Sequence, residues 1–323
     1  MKRRRFLKTS AAVSAAAVAL PNLALSSKTA SGESIPDLVY VRNGEPGPMT
    51  DKAIEALGGM EKFVQKNQTV VVKPNIAWRK IPEDGANTHP MVVKRVVEHC
   101  IKAGAKKVLV FDHAVQKEEI CWEKSGIGAV VKAAGGTMVT AADEKMYHET
   151  DFPKAKYVKK RKVHELVMEA DVFIDLAVLK NHTGAKYTAA IKNLMGCVWD
   201  RQAYHWNDKK QKNVELHQNI ADFMTLRKPD LSIVDGYRVT LRGGPHKAVR
   251  ADDVFVQKRL YASADPVAVD AMSSYALIES EPKCRKEELR INKPADVDYI
   301  KIASDMGMGS MDLDKMAIQK ITV

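Results

Sequence analysis

Lysine, carboxylate and imidazole groups recur at one kind of position in this chain, directly after short apolar runs. Thr69–Val72 runs into Lys73-Pro74-Asn75, Lys107–Phe111 ends at Asp112-His113, and Val172–Leu179 ends at Lys180-Asn181-His182. Leu231–Val234 is followed by Asp235-Gly236, and Arg259–Ser263 by Asp265-Pro266. Cations beside amides suit the recognition of an anion, and a neighbouring imidazole can move a proton. Lys73, wedged between a β-branched run and a proline, is the most telling, because a lysine near a core is seldom kept without a partner.

The stretch Lys180 to Gly196 carries the most chemistry. Read as strand then helix, it lets Thr183 cap the helix start and Gly184 open backbone N–H groups to a ligand, while Lys186, Ala190 and Asn193 share a face. Lys192 read alone is a solubilising surface lysine. On this reading Lys73, Lys180 and Lys186 grip a small phosphate or carboxylate, with Asn75, Thr183, Gly184, Lys192 and Asn193 around it. His182 shuttles a proton, with Lys180 and Asp235 as the other catalytic candidates, and Asp265 orients the lysines or a metal.

Other chemistries find less support. No nucleotide-binding glycine loop of either common form is present, nor a G-x-S-x-G elbow, nor HExxH. His89, His113, His182, His205 and His217 are scattered without a metal-ligand spacing, so the metal stays unknown. Met306, Met308, Met311 and Met316 suit copper(I) by ligand softness, but the simpler reading is methionine packing beneath a glycine turn. Cys100, Cys121, Cys197 and Cys284 lie far apart with no CxxC, so no in-chain iron–sulfur cluster is expected and no disulfide can be assigned. Cys100, among Val96, Val97 and Ile101, reads as a core residue.

Positioning such groups needs a layered scaffold, and the pattern supplies one. Strand-like runs at 37–41, 69–72, 107–111, 137–140, 156–163, 172–179, 231–234, 259–263 and 317–323 alternate with helical patterns at 49–57, 91–103, 122–134, 165–170, 266–277 and 294–305. That alternation predicts one α/β domain over residues 31–323, with a largely parallel, Rossmann-like sheet flanked by helices and carrying insertions. In such sheets ligands bind beyond the carboxyl ends of the strands, where the polar residues above collect. The insert from Asp200 to Glu215, with Tyr204, His205 and Trp206, reads as a lid or a solvated excursion. The basic run Lys154 to Lys162 fits a half-exposed edge strand.

The 323 residues are 45% hydrophobic and 28% charged, ordinary globular usage. Aromatics at 6% argue against base-stacking platforms for nucleic acid. The net charge of +11 overstates a basic surface, since Lys2, Arg3, Arg4, Arg5 and Lys8 precede every acid. Arg3-Arg4-Arg5-Phe6-Leu7-Lys8, followed by the mildly apolar Ala11–Leu20 and Pro21, reads as a cleaved twin-arginine signal over residues 1–30. Its expected partner is the twin-arginine translocation machinery, and the expected location is the periplasm or another exported compartment. No later segment suggests a membrane anchor.

Several of these segments, in order, resemble the domain of unknown function family 362. They are Val70 to Asn75, Thr88-His89-Pro90, Ala103-Gly104-Ala105 into Val108–Asp112, Leu179 through Thr188, and Ile191-Lys192-Asn193-Leu194-Met195-Gly196. Ile233–Gly236, Gly244-Pro245, Ser263–Asp270 and Gly307-Met308-Gly309 complete the likeness, which spans roughly residues 69 to 312. The resemblance implies an α/β domain without an agreed reaction, in a family whose members often carry a ferredoxin module or occupy redox settings. This chain shows no such module, so a cluster-dependent role would need a redox partner protein. Two functions therefore stand: an enzyme or accessory binding a small anionic ligand or cofactor, and a non-catalytic module docking a redox partner.

Overall fold

In a computed structural model of the chain, residues 35–157, 159–201, 214–242, 244, 253–280 and 291–323 are described. The leader, the insert's Tyr204, His205 and Trp206, Pro245 and Cys284 lie outside them. The core is a nine-stranded sheet. Its strands are β1 (Leu38–Arg42), β2 (Thr69–Pro74), β3 (Lys107–Val110), β4 (Thr137–Met138), β7 (Val172–His182), β8 (Lys186–Thr188), β9 (Leu231–Thr240), β10 (Val254–Ser263) and β11 (Ile318–Thr322). Their order is β11-β1-β10-β9-β7-β2-β3-β4, with β8 paired to the end of β7. Only β10 and β8 run against the rest. The largely parallel α/β sheet expected from the sequence is the fold.

Helices cover both faces, which is why Val70, Val71 and Val72 are all buried with no polar alternation. One face packs on α1 (Pro46–Ala56), α2 (Pro90–Lys102), α3 (Glu118–Ser125) and α4 (Ile127–Ala133). The other is covered by α6 (Ala190–Asn193), α7 (Val214–Asp222), α8 (Pro266–Ile278) and α9 (Asp298–Asp305). The helix predicted over 122–134 is broken at Gly126, whose φ of +73° ends α3 and starts α4. Cys100 is buried in the first layer, and Met306, Met308 and Met311 pack against the second.

Only the end of the basic run, Lys160-Arg161-Lys162, lies in a strand, β6 (Lys160–His164), which starts later than the 156–163 expected and pairs with β5 (Tyr147–Asp151), a strand whose polar sequence His148-Glu149-Thr150 hid it. Lys160 and Lys162 are ion-paired with Glu149 and Glu144 across and beside this hairpin. A short helix, α5 (Glu165–Glu169), leads from β6 into β7.

Two expectations are corrected. The segment after Lys180 is a β-hairpin, in which β7 and β8 pair Lys180 with Thr188 and His182 with Lys186. Thr183 and Gly184 therefore form a turn and cap no helix; the helix α6 begins only at Ala190. The reason is local: the His182 Nδ1 accepts the N–H groups of Gly184 and Ala185 and closes the turn, and Lys186 takes a left-handed φ of +62°. Second, β10 is antiparallel, so Asp265 sits at the sheet edge opposite the carboxyl ends of β2, β3 and β7. There it caps α8 through the N–H groups of Val267 and Ala268 and also accepts Ser310 N–H. Gly309 must be glycine for this, since a Cβ would lie 2.0 Å from the Asp265 Oδ1.

Candidate functional site

The carboxyl ends of β2, β3 and β7 surround a buried polar centre. Lys73 follows Val71 on the face covered by α6, and its ammonium donates to Asp112 Oδ1 at 2.8 Å, with both side chains 3% exposed or less. Asp112 also accepts the N–H of Ile76 at 2.7 Å through its second oxygen. A lysine and a carboxylate this deep are tolerable only as a hydrogen-bonded pair.

Asn193, at the end of α6, ties the centre together. Its amide nitrogen donates to Asp175 Oδ1 at 2.7 Å and to the Lys73 carbonyl at 3.2 Å, and its oxygen accepts from Asn75 Nδ2 at 3.0 Å. Asn75 in turn accepts from Lys180 Nζ at 3.1 Å, and Lys180 also donates to the Ala86 carbonyl at 2.5 Å. The helix that delivers Asn193 has no cap of its own. Asp270 of α8, fully buried, supplies one by accepting Ala190 N–H at 2.7 Å and Ile191 N–H at 3.1 Å. Gly196 closes the floor: a Cβ there would lie 2.1 Å from Asp112 Oδ1 and 2.7 Å from Lys73 Nζ. The K-N-x-x-G signature thus contributes Lys192, Asn193 and Gly196 to one place.

The electrostatics are lopsided. Lys180 hydrogen-bonds only neutral groups; burial, then repulsion from Lys192, pushes its pKa down to about 7, with Asp112 opposing and Lys73 adding to the shift. Lys192 makes no hydrogen bond or ion pair among the described residues; burial, then Lys73 and Arg201, push its pKa down to about 8. The acid nearest in role, Asp175, is itself pushed up to about 7 by burial, against the pull of Lys73 and of the Asn193 hydrogen bond. Its Oδ2 is buried without a partner. Cations therefore outnumber committed carboxylates, and the imbalance centres on Lys192.

The folded-state pKa of Asp175 lies above that of an unfolded aspartate, so ionising it costs stability. The cost is absent below about pH 4, where both states are protonated, and grows until about pH 7. Asp175→Asn is expected to stabilise the fold at pH 8 by something on the order of 2 kcal/mol, and by little at pH 4. Urea unfolding at the two pH values measures it.

The remaining sequence candidates fall elsewhere. Lys186 donates to the Asp296 carbonyl at 2.7 Å and lies 3.8 Å from Asp298, so it is engaged away from the centre. His182 is occupied in its turn, as described. Asp235, buried, accepts the N–H groups of His89 at 2.8 Å and Tyr237 at 2.9 Å and holds the start of α2 against β9. The structure thus brings together Lys73, Asn75, Lys180, Lys192 and Asn193. It leaves His182, Thr183, Gly184 and Lys186 at the hairpin, Asp235 beside α2, and Asp265 at the far edge. Sequence reasoning missed Asp175, whose signal was a single acid inside an otherwise apolar strand, Asp270, present only as the last residue of the Ser263–Asp270 likeness, and Arg201, which carried no signal. Among the described residues no group of three histidine, cysteine or acidic side chains is placed to hold a metal.

The model of the family described as domain of unknown function (DUF362) matches residues 70–274, which contain every group of the centre. A thylakoid-associated protein of Synechocystis sp. is 28% identical over 193 residues, 59% of this chain and 59% of that protein. The chain thus spans under two thirds of that relative's length. Among solved structures, the lactate racemase apoprotein from Thermoanaerobacterium thermosaccharolyticum aligns with a TM-score of 0.45 and 14% identity, covering 71% of this chain and 54% of that one. A protein from Thermotoga maritima aligns with a TM-score of 0.39 and 12% identity, over 59% and 51% of the two chains.

Proposed function

The chain belongs to the domain of unknown function family DUF362, and on that premise we propose that it binds a small anion, a phosphate or a carboxylate, at the centre formed by Lys73, Lys180, Lys192 and Arg201. One observation carries the reading: the Lys192 ammonium has no partner among the described residues, and the groups that act on it, Lys73 and Arg201, are also cations. A cation held among cations is costly unless a counter-charge arrives. Lys73 is anchored by Asp112 and Lys180 by Asn75, so the donors are fixed before the ligand comes.

An anion raises the pKa values of Lys180 and Lys192, because each ammonium gains the counter-charge it lacks. Binding is therefore strongest below pH 7; above it, affinity falls by about tenfold per pH unit for each ammonium that must take up a proton, Lys180 first and Lys192 from about pH 8. Inorganic phosphate and citrate, titrated while thermal unfolding is followed at pH 7, are expected to raise the midpoint of the protein by several degrees. Lys192→Met is expected to lose that shift while unfolding, without added anion, at or above the temperature of the parent. Equal shifts in both proteins would refute the assignment.

A further inference from the structure

A cleft of about 680 Å³ shares Arg201 with the cationic centre; His113, Trp199, Arg161, Lys160 and Lys162 line it together with three carboxylates, those of Glu144, Glu149 and Asp200. We propose that this cleft holds the planar heteroaromatic part of a ligand whose phosphate or carboxylate lies at Lys192, so that the protein's ligand is of nucleoside-monophosphate size. The inference rests on the anion reading above and adds the chemistry of the rest of the molecule.

The volume falls within the range of small-molecule sites. Its wall is a stack. The rings of His113 and Trp199 lie parallel, 8° apart, with centroids at 5.0 Å. Buried Tyr147 supports both, at 5.5 Å from His113 and 5.2 Å from Trp199, with its hydroxyl donating to the Ala141 carbonyl. Another flat ring extends such a stack at little entropic cost, because both rings are already fixed. His113 also has a defined polar role. Burial, then Arg201, push its pKa down to about 4, so it is neutral at pH 7, and its Nδ1 donates to the Val198 carbonyl at 3.0 Å. That leaves Nε2 as a hydrogen-bond acceptor for a heterocycle's N–H or amino group.

Arg201 joins the cleft to the anion centre. It lines the cleft, its guanidinium holds the His113 and Ala114 carbonyls at 2.6 and 2.9 Å, and its charge acts on both Lys192 and Asp112. The chain makes the same connection, since Lys192, Gly196, Trp199 and Arg201 lie within one short stretch. The Trp199 backbone is pinned to β6 by its amide N–H, which donates to the Lys162 carbonyl at 3.0 Å. Within the cleft, Lys160 and Lys162 are already neutralised by Glu149 and Glu144, and Asp200 adds a further carboxylate to the lining, so the anionic end is drawn toward Lys192 and the ring is left against Trp199.

Calorimetric titration of the full chain with adenosine monophosphate, flavin mononucleotide, their dephosphorylated nucleosides and inorganic phosphate tests this. At least one ring-bearing phosphate is expected to bind ten-fold or more tighter than both inorganic phosphate and its own nucleoside. Trp199→Ala is expected to cut that advantage below three-fold without changing the affinity for phosphate, and Trp199→Phe to keep most of it. If Trp199→Ala does not fold, the ligand comparison on the parent protein and Trp199→Phe decides. Phosphate binding with no gain from either ring overturns this inference and leaves the anion reading standing. Failure of every anion, phosphate included, overturns both.

Discussion

Gly196→Ala is expected to destabilise the fold by about 3–5 kcal/mol, the cost of breaking a buried ion pair. The added methyl carbon would stand 2.1 Å from Asp112 Oδ1, 2.7 Å from Lys73 Nζ and 2.8 Å from Lys73 Cε. Side-chain tips can often swing aside, but these cannot. Lys73 is 0% and Asp112 3% exposed, and the other oxygen of Asp112 is committed to the Ile76 N–H. The pair must therefore separate into a closed, low-dielectric space. Gly47 of α1 is the control: its nearest neighbour to an added Cβ is 3.6 Å away, so Gly47→Ala is expected to be neutral or stabilising by up to about 1 kcal/mol. Urea unfolding of the two variants separates them. Equal tolerance at both positions would mean that the Lys73–Asp112 contact is not present in solution.

Lys73→Met is expected to cost about 3–5 kcal/mol, because it leaves the Asp112 carboxylate buried and uncompensated. Methionine fills nearly the same volume, so the loss is electrostatic rather than a cavity. Adding Asp112→Asn to Lys73→Met removes the stranded charge and keeps an oxygen for the Ile76 N–H. The double variant is expected to regain more than half of the loss, which appears as a coupling energy of about 2 kcal/mol or more in the cycle. Additive losses would show that the two groups act separately. The same cycle distinguishes scaffold from site. A double variant that folds but no longer responds to phosphate places Lys73 in anion binding as well as in the core.

Much of the architecture is legible in the sequence. β2 and β7 announced themselves as unbroken apolar runs because both of their faces are covered, and α2 by the proline at its start after His89. Strand direction could not be read. Arg259–Ser263 looks like any other strand followed by a helix, yet β10 is antiparallel, and this alone moves Asp265 to the opposite edge. The Lys180–Lys186 stretch reads as entering a helix, yet its turn is built by an imidazole accepting two backbone N–H groups, which no residue pattern signals.

At the site, Lys73, Asn75, Lys180 and Asn193 were legible from their place after strands or in the glycine-ended signature. Lys192 gained meaning only from three dimensions, where cations from three segments surround it. Asp270 was legible only as part of a motif. Its work, capping a helix 80 residues away in the chain, belongs to tertiary structure.

The most direct test is the titration of the Lys192 side chain, followed by NMR of the protein with labelled lysine methylene carbons, and assigned by loss of its signal in Lys192→Met. The account predicts a pKa of about 8 in the free protein and a clear rise when inorganic phosphate or another bound anion is present. A side chain that titrates near 10.5 in both conditions would mean that Lys192 is an ordinary solvated lysine, and the cationic centre would lose its ligand.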